Sequence, residues 1–259
     1  MKKRLDLILF AHGFFETKNA ALAAILAGNV KIGDRVILKA GELIDEAKLF
    51  SPENKEKLEV KTMPYVSRGA YKLEGALKEF NINLKDKICI DIGASTGGFT
   101  DLMLQRGAKK VYAVDVGYNQ LAWKLREDER VINIEKTNVK NCSFFDIYKK
   151  DGMDEAELPE FMSMDLSFIS IKKVIPNVLN FLKNEFEAVI LIKPQFEAQR
   201  CDIQKGGVVK DENVHKKIID DIKEFITGLN LKVIGVVKSP IQGAKQGNTE
   251  YLIYIKREK

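Results

Sequence analysis

The chain has 259 residues, of which 42 are Lys or Arg and 37 are Asp or Glu, for a net charge of +5; this length holds one full domain and a small appendage, and the basic excess permits a polyanionic partner without requiring one. Three cysteines, Cys89, Cys142 and Cys201, stand far apart in no ligand spacing, which argues against a disulfide framework or a metal site and suits a reducing cytoplasm. No signal peptide is read at the amino end, and the longest apolar run, Ala20 to Ala27, falls far short of the roughly 18 residues that span a bilayer.

In chain order, Leu5, Ile8 and Leu9 recur at helical spacing within Arg4 to His12, and Gly13 follows as a stop. Thr17 is a good N-cap for an alanine-rich helix that Gly28-Asn29 closes. Val30 to Ile32 and Arg35 to Leu38 form β-prone stretches around a Gly33-Asp34 turn. Residues 1–40 carry seven Lys or Arg against Asp6, Glu16 and Asp34, so this end is locally basic. Between Glu46 and Pro64 the composition is that of a solvated connector, with an edge strand over Leu58 to Met63 as the alternative. The reading places one domain at 1–60, a linker at 61–66 and a second domain at 67–259.

Beyond Pro64 short apolar runs alternate with helical segments: Lys87 to Asp91, Val111 to Asp115, Val131 to Glu135, Phe161 to Leu166 and Ala188 to Lys193. That alternation predicts an α/β domain with a parallel, doubly wound sheet. Lys232 to Lys238 and Tyr251 to Lys256 are joined by a loop containing Gly243 and Gly247, with no helix between, so they are expected to pair antiparallel and complete a largely parallel seven-stranded sheet.

The strand ending at Asp91 runs into Gly93-Ala94-Ser95-Thr96-Gly97-Gly98, and a helix begins near Phe99. Glycines let a backbone approach a ligand closely at the carboxyl edge of such a sheet. Asp115 ends the next strand, 24 residues after Asp91, from where a carboxylate reaches the ribose hydroxyls of an adenosine cofactor. Ser95 stands where a nicotinamide fingerprint needs glycine, which favours methyl transfer over hydride transfer. The candidate cofactor set is Asp91, Gly93, Ser95, Thr96, Gly97, Gly98, Phe99, Asp115 and Val116. Asp165 and Lys193 close two further strands at the same edge, an unusual place for charged side chains in apolar runs. Lys72 lies at the start of a helix, and Glu250 begins the last strand.

These segments resemble the TlyA family, the so-called haemolysin A group of rRNA ribose methyltransferases. The resemblance is carried by Arg4-Leu5-Asp6, Thr17-Lys18, Ala27-Gly28-Asn29-Val30, Ser67 to Leu73, Asp91 to Gly98, Asp165 to Ser170, Lys193 to Glu197 and Gly206 to Val209. It implies a small S4-like α+β RNA-binding domain ahead of a Rossmann-like, FtsJ-like methyltransferase domain. It also implies S-adenosylmethionine as cofactor and a catalytic tetrad at Lys72, Asp165, Lys193 and Glu250. The expected substrate is a cytidine ribose in ribosomal RNA within a ribosomal subunit. The short ends of the chain resemble members confined to large-subunit 23S rRNA. In this scheme Lys193, desolvated near Lys72, has its pKa lowered and acts as base. Asp165 positions its amine, Glu250 orients Lys72 or the ribose, and Lys72 stabilises the oxyanion.

Arg4, Lys18, Arg35 and Arg68 are the foremost candidates for RNA phosphates, joined by Lys2, Lys3 and Lys31. Arg200, Lys205 and Lys245 extend that basic surface, with Gly206-Gly207 as a mobile lid. Tyr65, Tyr71, Tyr118, Trp123 and Phe196 read as core or pocket aromatics before base-stacking ones, and His12 and His215 as structural. Two other classes are alternatives: a membrane-active haemolysin, for which no apolar segment is long enough, and a non-catalytic RNA-binding assembly factor, against which the four charged residues speak.

Overall fold

The computed structural model describes residues 2–15, 17–54, 57–61, 63–148, 158–242 and 247–258, so Glu16, Gly243 and Lys245 lie outside the described residues. The chain divides into two compact units, Met1–Pro64 and Tyr65–Lys259.

The first unit runs β1 (Lys2–Arg4), α1 (Leu5–Ala11), α2 (Lys18–Leu26), β2 (Val30–Ile32), β3 (Arg35–Val36), β4 (Leu43–Asp45), α3 (Glu46–Leu49) and β5 (Leu58–Val60). Leu5, Ile8 and Leu9 of α1 pack on Ala21 and Ile25 of α2 and on Val30 and Ile32 of β2. The Thr17 hydroxyl accepts from Ala20 N at 3.1 Å, satisfying one of the orphan amides of α2. The segment 46–64, read as a connector, also contains structure: α3, and β5 pairing antiparallel with β2. β1 has no sequence signature, because all three of its residues are exposed and the strand is defined by its pairing with β4.

The second unit runs α4 (Ala70–Glu79), β6 (Ile88–Ile92), α5 (Gly98–Gln105), β7 (Lys110–Val114), α6 (Trp123–Arg126), β8 (Val131–Ile134), α7 (Phe144–Tyr148), β9 (Phe161–Met164), α8 (Ile175–Val178), β10 (Phe186–Ile192), α9 (Pro194–Glu197), α10 (Glu212–Gly228), β11 (Lys232–Lys238) and β12 (Tyr251–Arg257). The seven strands lie in the order β11-β12-β10-β9-β6-β7-β8. From β10 to β8 all neighbours are parallel, while β12 runs antiparallel to both β10 and β11. The last strand therefore inserts inside the sheet, giving a Rossmann-like fold with one reversed strand.

Both faces of this sheet are buried, as a parallel sheet requires. On β10, Ala188, Ile190 and Ile192 face a cluster that includes Ile218, Ile222 and Ile226 of α10. Val189 and Leu191 face the other cluster, with Leu73 of α4 and Leu102 of α5. The chain leaves β6 toward β7 on one side, while β9 lies on the other, so a topological switch point opens between the carboxyl ends of β6 and β9.

Candidate active site

Gly93 follows β6 at this switch point with φ of 85°, and a Cβ there would collide with the backbone carbonyl of Asp165 beyond β9. Only glycine lets the two strand ends approach so closely. Gly97 (φ 93°) caps α5, and a side chain there would run into Leu121 and Leu125. Gly98 permits close packing against Ser67 and the start of α4. The Asp115 carboxylate accepts from Ser95 N at 2.8 Å and Gly117 N at 2.6 Å, which ties the glycine loop to the end of β7.

Two cavities, of about 520 and 440 Å³, meet at Gly93, Ser95, Asp165, Ser167 and Phe168. The first is walled by Thr96, Gly98 and Phe99 and by all four of Lys72, Asp165, Lys193 and Glu250. The second includes Asp115 and Val116. Gly97 lines neither; its part is to turn the chain into α5. Asp91 also lies behind the wall. It is fully buried and accepts from the Thr100 hydroxyl at 2.7 Å and the Ser163 hydroxyl at 2.9 Å. Burial pushes its carboxyl up to about 6 against the pull of these two hydroxyls. Its carboxylate thus braces β6 against α5 and β9.

The four charged side chains form one continuous chain. Lys72 Nζ lies 2.7 Å from Glu250 Oε2 and 3.3 Å from Asp165 Oδ2, and Lys193 Nζ lies 2.5 Å from Asp165 Oδ1. The Lys72 contact to Glu250 is an ion pair without the alignment of a hydrogen bond, so that oxygen has no hydrogen-bond donor among the described residues. Burial works to depress the Lys72 pKa, but the charges of Asp165 and Glu250 outweigh it and hold the ammonium above its ordinary value. Lys193 follows β10 directly, with Pro194 opening α9, and it donates to the Ser167 hydroxyl at 2.9 Å. A second tie binds the same two segments: Glu197 accepts from the Ser170 hydroxyl at 2.6 Å and Ile171 N at 2.8 Å.

Ser167 and Phe168 are site residues that sequence reasoning did not single out, although both stand in Asp165 to Ser170. Phe168 is 85% exposed at φ of 65° and faces the Phe196 ring with centroids 5.2 Å apart. A bulky residue in left-handed backbone, exposed at a cavity mouth, is the signature that only coordinates reveal. Tyr118 and Trp123 depart from the core or pocket reading: they are exposed and line neither cavity, while Leu121 and Leu125 of the same stretch are buried. Gly206-Gly207, expected as a mobile lid, lines the first cavity; the buried Asn248 side chain holds Gly207, and buried His215 holds Val209 just beyond it.

Of the basic candidates, Arg4 is engaged by Asp6 through two bonds, and Arg35 by Glu42 at 2.8 Å. Lys18 lies over the Phe10 ring, and Arg68 is exposed between the cavity residues Ser67 and Gly69. Among the described residues no group of three or more His, Cys, Asp or Glu is placed to hold a metal ion, and no helix is long and apolar enough to cross a membrane.

Residues 65–257 match the model of the FtsJ-like methyltransferases. The chain belongs to this family. Within it the similarity extends to the TlyA and hemolysin A group: the chain is 45% identical to Hemolysin A of Brachyspira hyodysenteriae over 97% of its own length and 98% of the relative's. It is 35% identical to the 16S/23S rRNA (cytidine-2'-O)-methyltransferase TlyA of Mycobacterium tuberculosis, over 99% and 91% respectively. A solved Streptococcus thermophilus chain that carries the hemolysin name superposes with a TM-score of 0.73 at 41% identity, covering 100% of this chain and 89% of that one. Membership makes the chain an S-adenosylmethionine-dependent methyltransferase. The paired cavities fit that cofactor: the positive-φ glycine loop has no side chain to fill the first, and the Asp115 carboxylate lines the second with acceptor capacity beyond its two amide bonds.

Proposed function

We propose that this methyltransferase modifies the 2'-hydroxyl of a cytidine in ribosomal RNA, with large-subunit RNA as its target. The observation that carries the reading is the Glu250–Lys72–Asp165–Lys193 chain on one wall of a cavity whose other wall is the cofactor loop. The substrate class is supported by the Mycobacterium tuberculosis relative, whose name specifies cytidine 2'-O methylation of 16S and 23S rRNA.

S-adenosylmethionine, when bound by the Gly93–Gly98 loop and Asp115, supplies an electrophilic methyl group. The residues of the chain then have to prepare a poor nucleophile. A ribose hydroxyl must be oriented and relieved of its proton. Lys72, kept as an ammonium by two carboxylates, is suited to stabilise negative charge on the ribose oxygen. Lys193 is held from two sides, by Asp165 and Ser167, and in its amine form is assigned the proton. Asp165 bridges the two amines and fixes their separation. Glu250, on the wall of the same cavity, keeps Lys72 charged. Phe168 and Phe196 offer apolar surface on which a base can stack.

The first unit is assigned to RNA binding as an S4-like module, in which Lys18 is better placed for a phosphate than Arg4 and Arg35, which already have carboxylate partners, and Arg68 of the second unit is a further candidate. Labelled methyl transfer to separated ribosomal subunits, followed by mapping of the modified nucleotide, tests the whole reading. A 2'-O-methylcytidine in large-subunit RNA supports it. Label in small-subunit RNA as well would widen the substrate range, and label in neither would remove the assignment.

A further inference from the structure

The segment before α10 carries Gly206 and Gly207, both at positive φ (94° and 78°), and closes on itself through bonds between Gln204 and Val208. Both glycines line the cavity of the four charged residues. Two adjacent glycines leave a backbone free to move unless something outside the turn restrains it. Here two buried polar side chains do so. Asn248 Nδ2 donates to Gly207 O at 3.0 Å, while its Oδ1 accepts from Val209 N at 3.2 Å. From α10, His215 Nε2 donates to Val209 O at 2.9 Å, and its Nδ1 pairs with the Tyr251 hydroxyl at 3.0 Å. A carbonyl only accepts, so Nε2 carries the ring hydrogen and, in the neutral ring, Nδ1 takes the tyrosine proton.

Asn248 and His215 are 4% and 6% exposed, and neither is needed to hold the lysines of the site. Asn248 and Tyr251 flank Glu250 closely in the chain, so the same short stretch holds the turn and presents the carboxylate that faces Lys72. The position demands a donor toward Gly207 and an acceptor toward Val209 on one short side chain; an amide supplies both, and an ionised carboxylate supplies only the acceptor.

We propose that Asn248 is a positioning residue for the methyl acceptor: with His215 it makes the Gly206-Gly207 turn a preformed wall of the cavity and joins that wall to Glu250. The inference rests on the RNA reading above and names the feature that shapes the acceptor side. A preformed wall removes an ordering cost from substrate binding, so its loss is read in KM for RNA and not in cofactor affinity.

The test compares wild type with Asn248→Ala and Asn248→Asp on the same ribosomal RNA. Asn248→Ala is expected to raise KM for RNA about tenfold, with S-adenosylmethionine affinity held within about twofold. Trypsin cleavage at Lys205 and Lys210, exposed residues that bracket the turn, is expected to accelerate. Asn248→Asp preserves the volume. Its carboxylate cannot donate to Gly207 O, whereas its protonated form can, so its activity relative to wild type at the same pH is expected to rise as pH falls. Wild-type KM and wild-type cleavage rates in Asn248→Ala, or a ratio for Asn248→Asp that is flat with pH, would overturn the proposal. Wild type that methylates no ribosomal RNA overturns the substrate reading instead, and the cleavage comparison then decides the role of Asn248 by itself.

Discussion

At the scale of single residues, the site is a problem of two amines and two carboxylates in a partly dry cavity. Lys72 is shared between Asp165 and Glu250, while Lys193 has Asp165 and Ser167. If Lys193 takes the ribose proton, Lys193→Ala should lower kcat roughly 100-fold or more, the scale of general base catalysis, while cofactor affinity stays near wild type. Equilibrium cofactor binding and single-turnover methyl transfer check this, and wild-type turnover would remove the assignment. Asp91 makes a separate prediction about stability. Its folded-state pKa of about 6 lies above the ordinary 3.8, because burial disfavours the charged form. The native state therefore holds this proton more tightly than the unfolded chain does. The stabilisation is full below about pH 4 and is lost as pH rises through about 6, an effect on the order of 3 kcal/mol. Asn at this position does not titrate, so wild type should lose stability relative to Asp91→Asn over that window. Chemical denaturation at pH 4, 5 and 6.5 measures it; parallel pH profiles for the two proteins would contradict the upward shift that burial imposes on Asp91.

At the scale of elements, the decisive contact is between the ends of β6 and β9. Gly93 has no Cβ, so the carbonyl of Asp165 lies against its backbone and the glycine loop and the Asp165 carboxylate share one edge. Gly93→Ala is expected to weaken S-adenosylmethionine binding about tenfold or more and to lower the melting temperature, since both the close approach and the positive φ penalise a methyl group. Isothermal titration with the cofactor and a thermal melt check both parts; an alanine variant with wild-type affinity would show that the two strand ends can separate at no cost. The strand and glycine pattern was legible in the sequence because parallel strands buried on both faces read as short apolar runs. Ser167 and Phe168 were not legible as site residues. A serine and an aromatic after a strand have no distinguishing spacing, and their roles depend on Lys193 and Phe196 arriving from a different strand.

At the scale of the molecule, each of the two units has its own core: one built on α1, α2 and β2, and one on the two faces of the seven-stranded sheet. Among the described residues, those that line the two cavities all belong to the second unit. A fragment spanning 65–259 is therefore expected to bind S-adenosylmethionine with an affinity near that of the full chain, and to lose at least about tenfold in kcat/KM on ribosomal RNA if the first unit supplies phosphate contacts. Cofactor titration and methyl transfer across a salt series test this, and equal RNA kinetics for fragment and full chain would remove the first unit from recognition.

The sequence by itself determined the alternation of strands and helices, the glycine loop and the four charged residues at strand or helix ends, because each depends on local periodicity or on side chains set in short motifs. Only the tertiary structure decided that β12 inserts between β10 and β11, which brings Glu250 to Lys72, and that Asp91 and Gly97 serve behind the cavity wall. It also decided that Gly207 is bound by Asn248 and the neighbouring Val209 by His215. These are contacts between residues far apart in the chain, fixed by how the sheet is ordered and what is buried against it, and no local spacing encodes them.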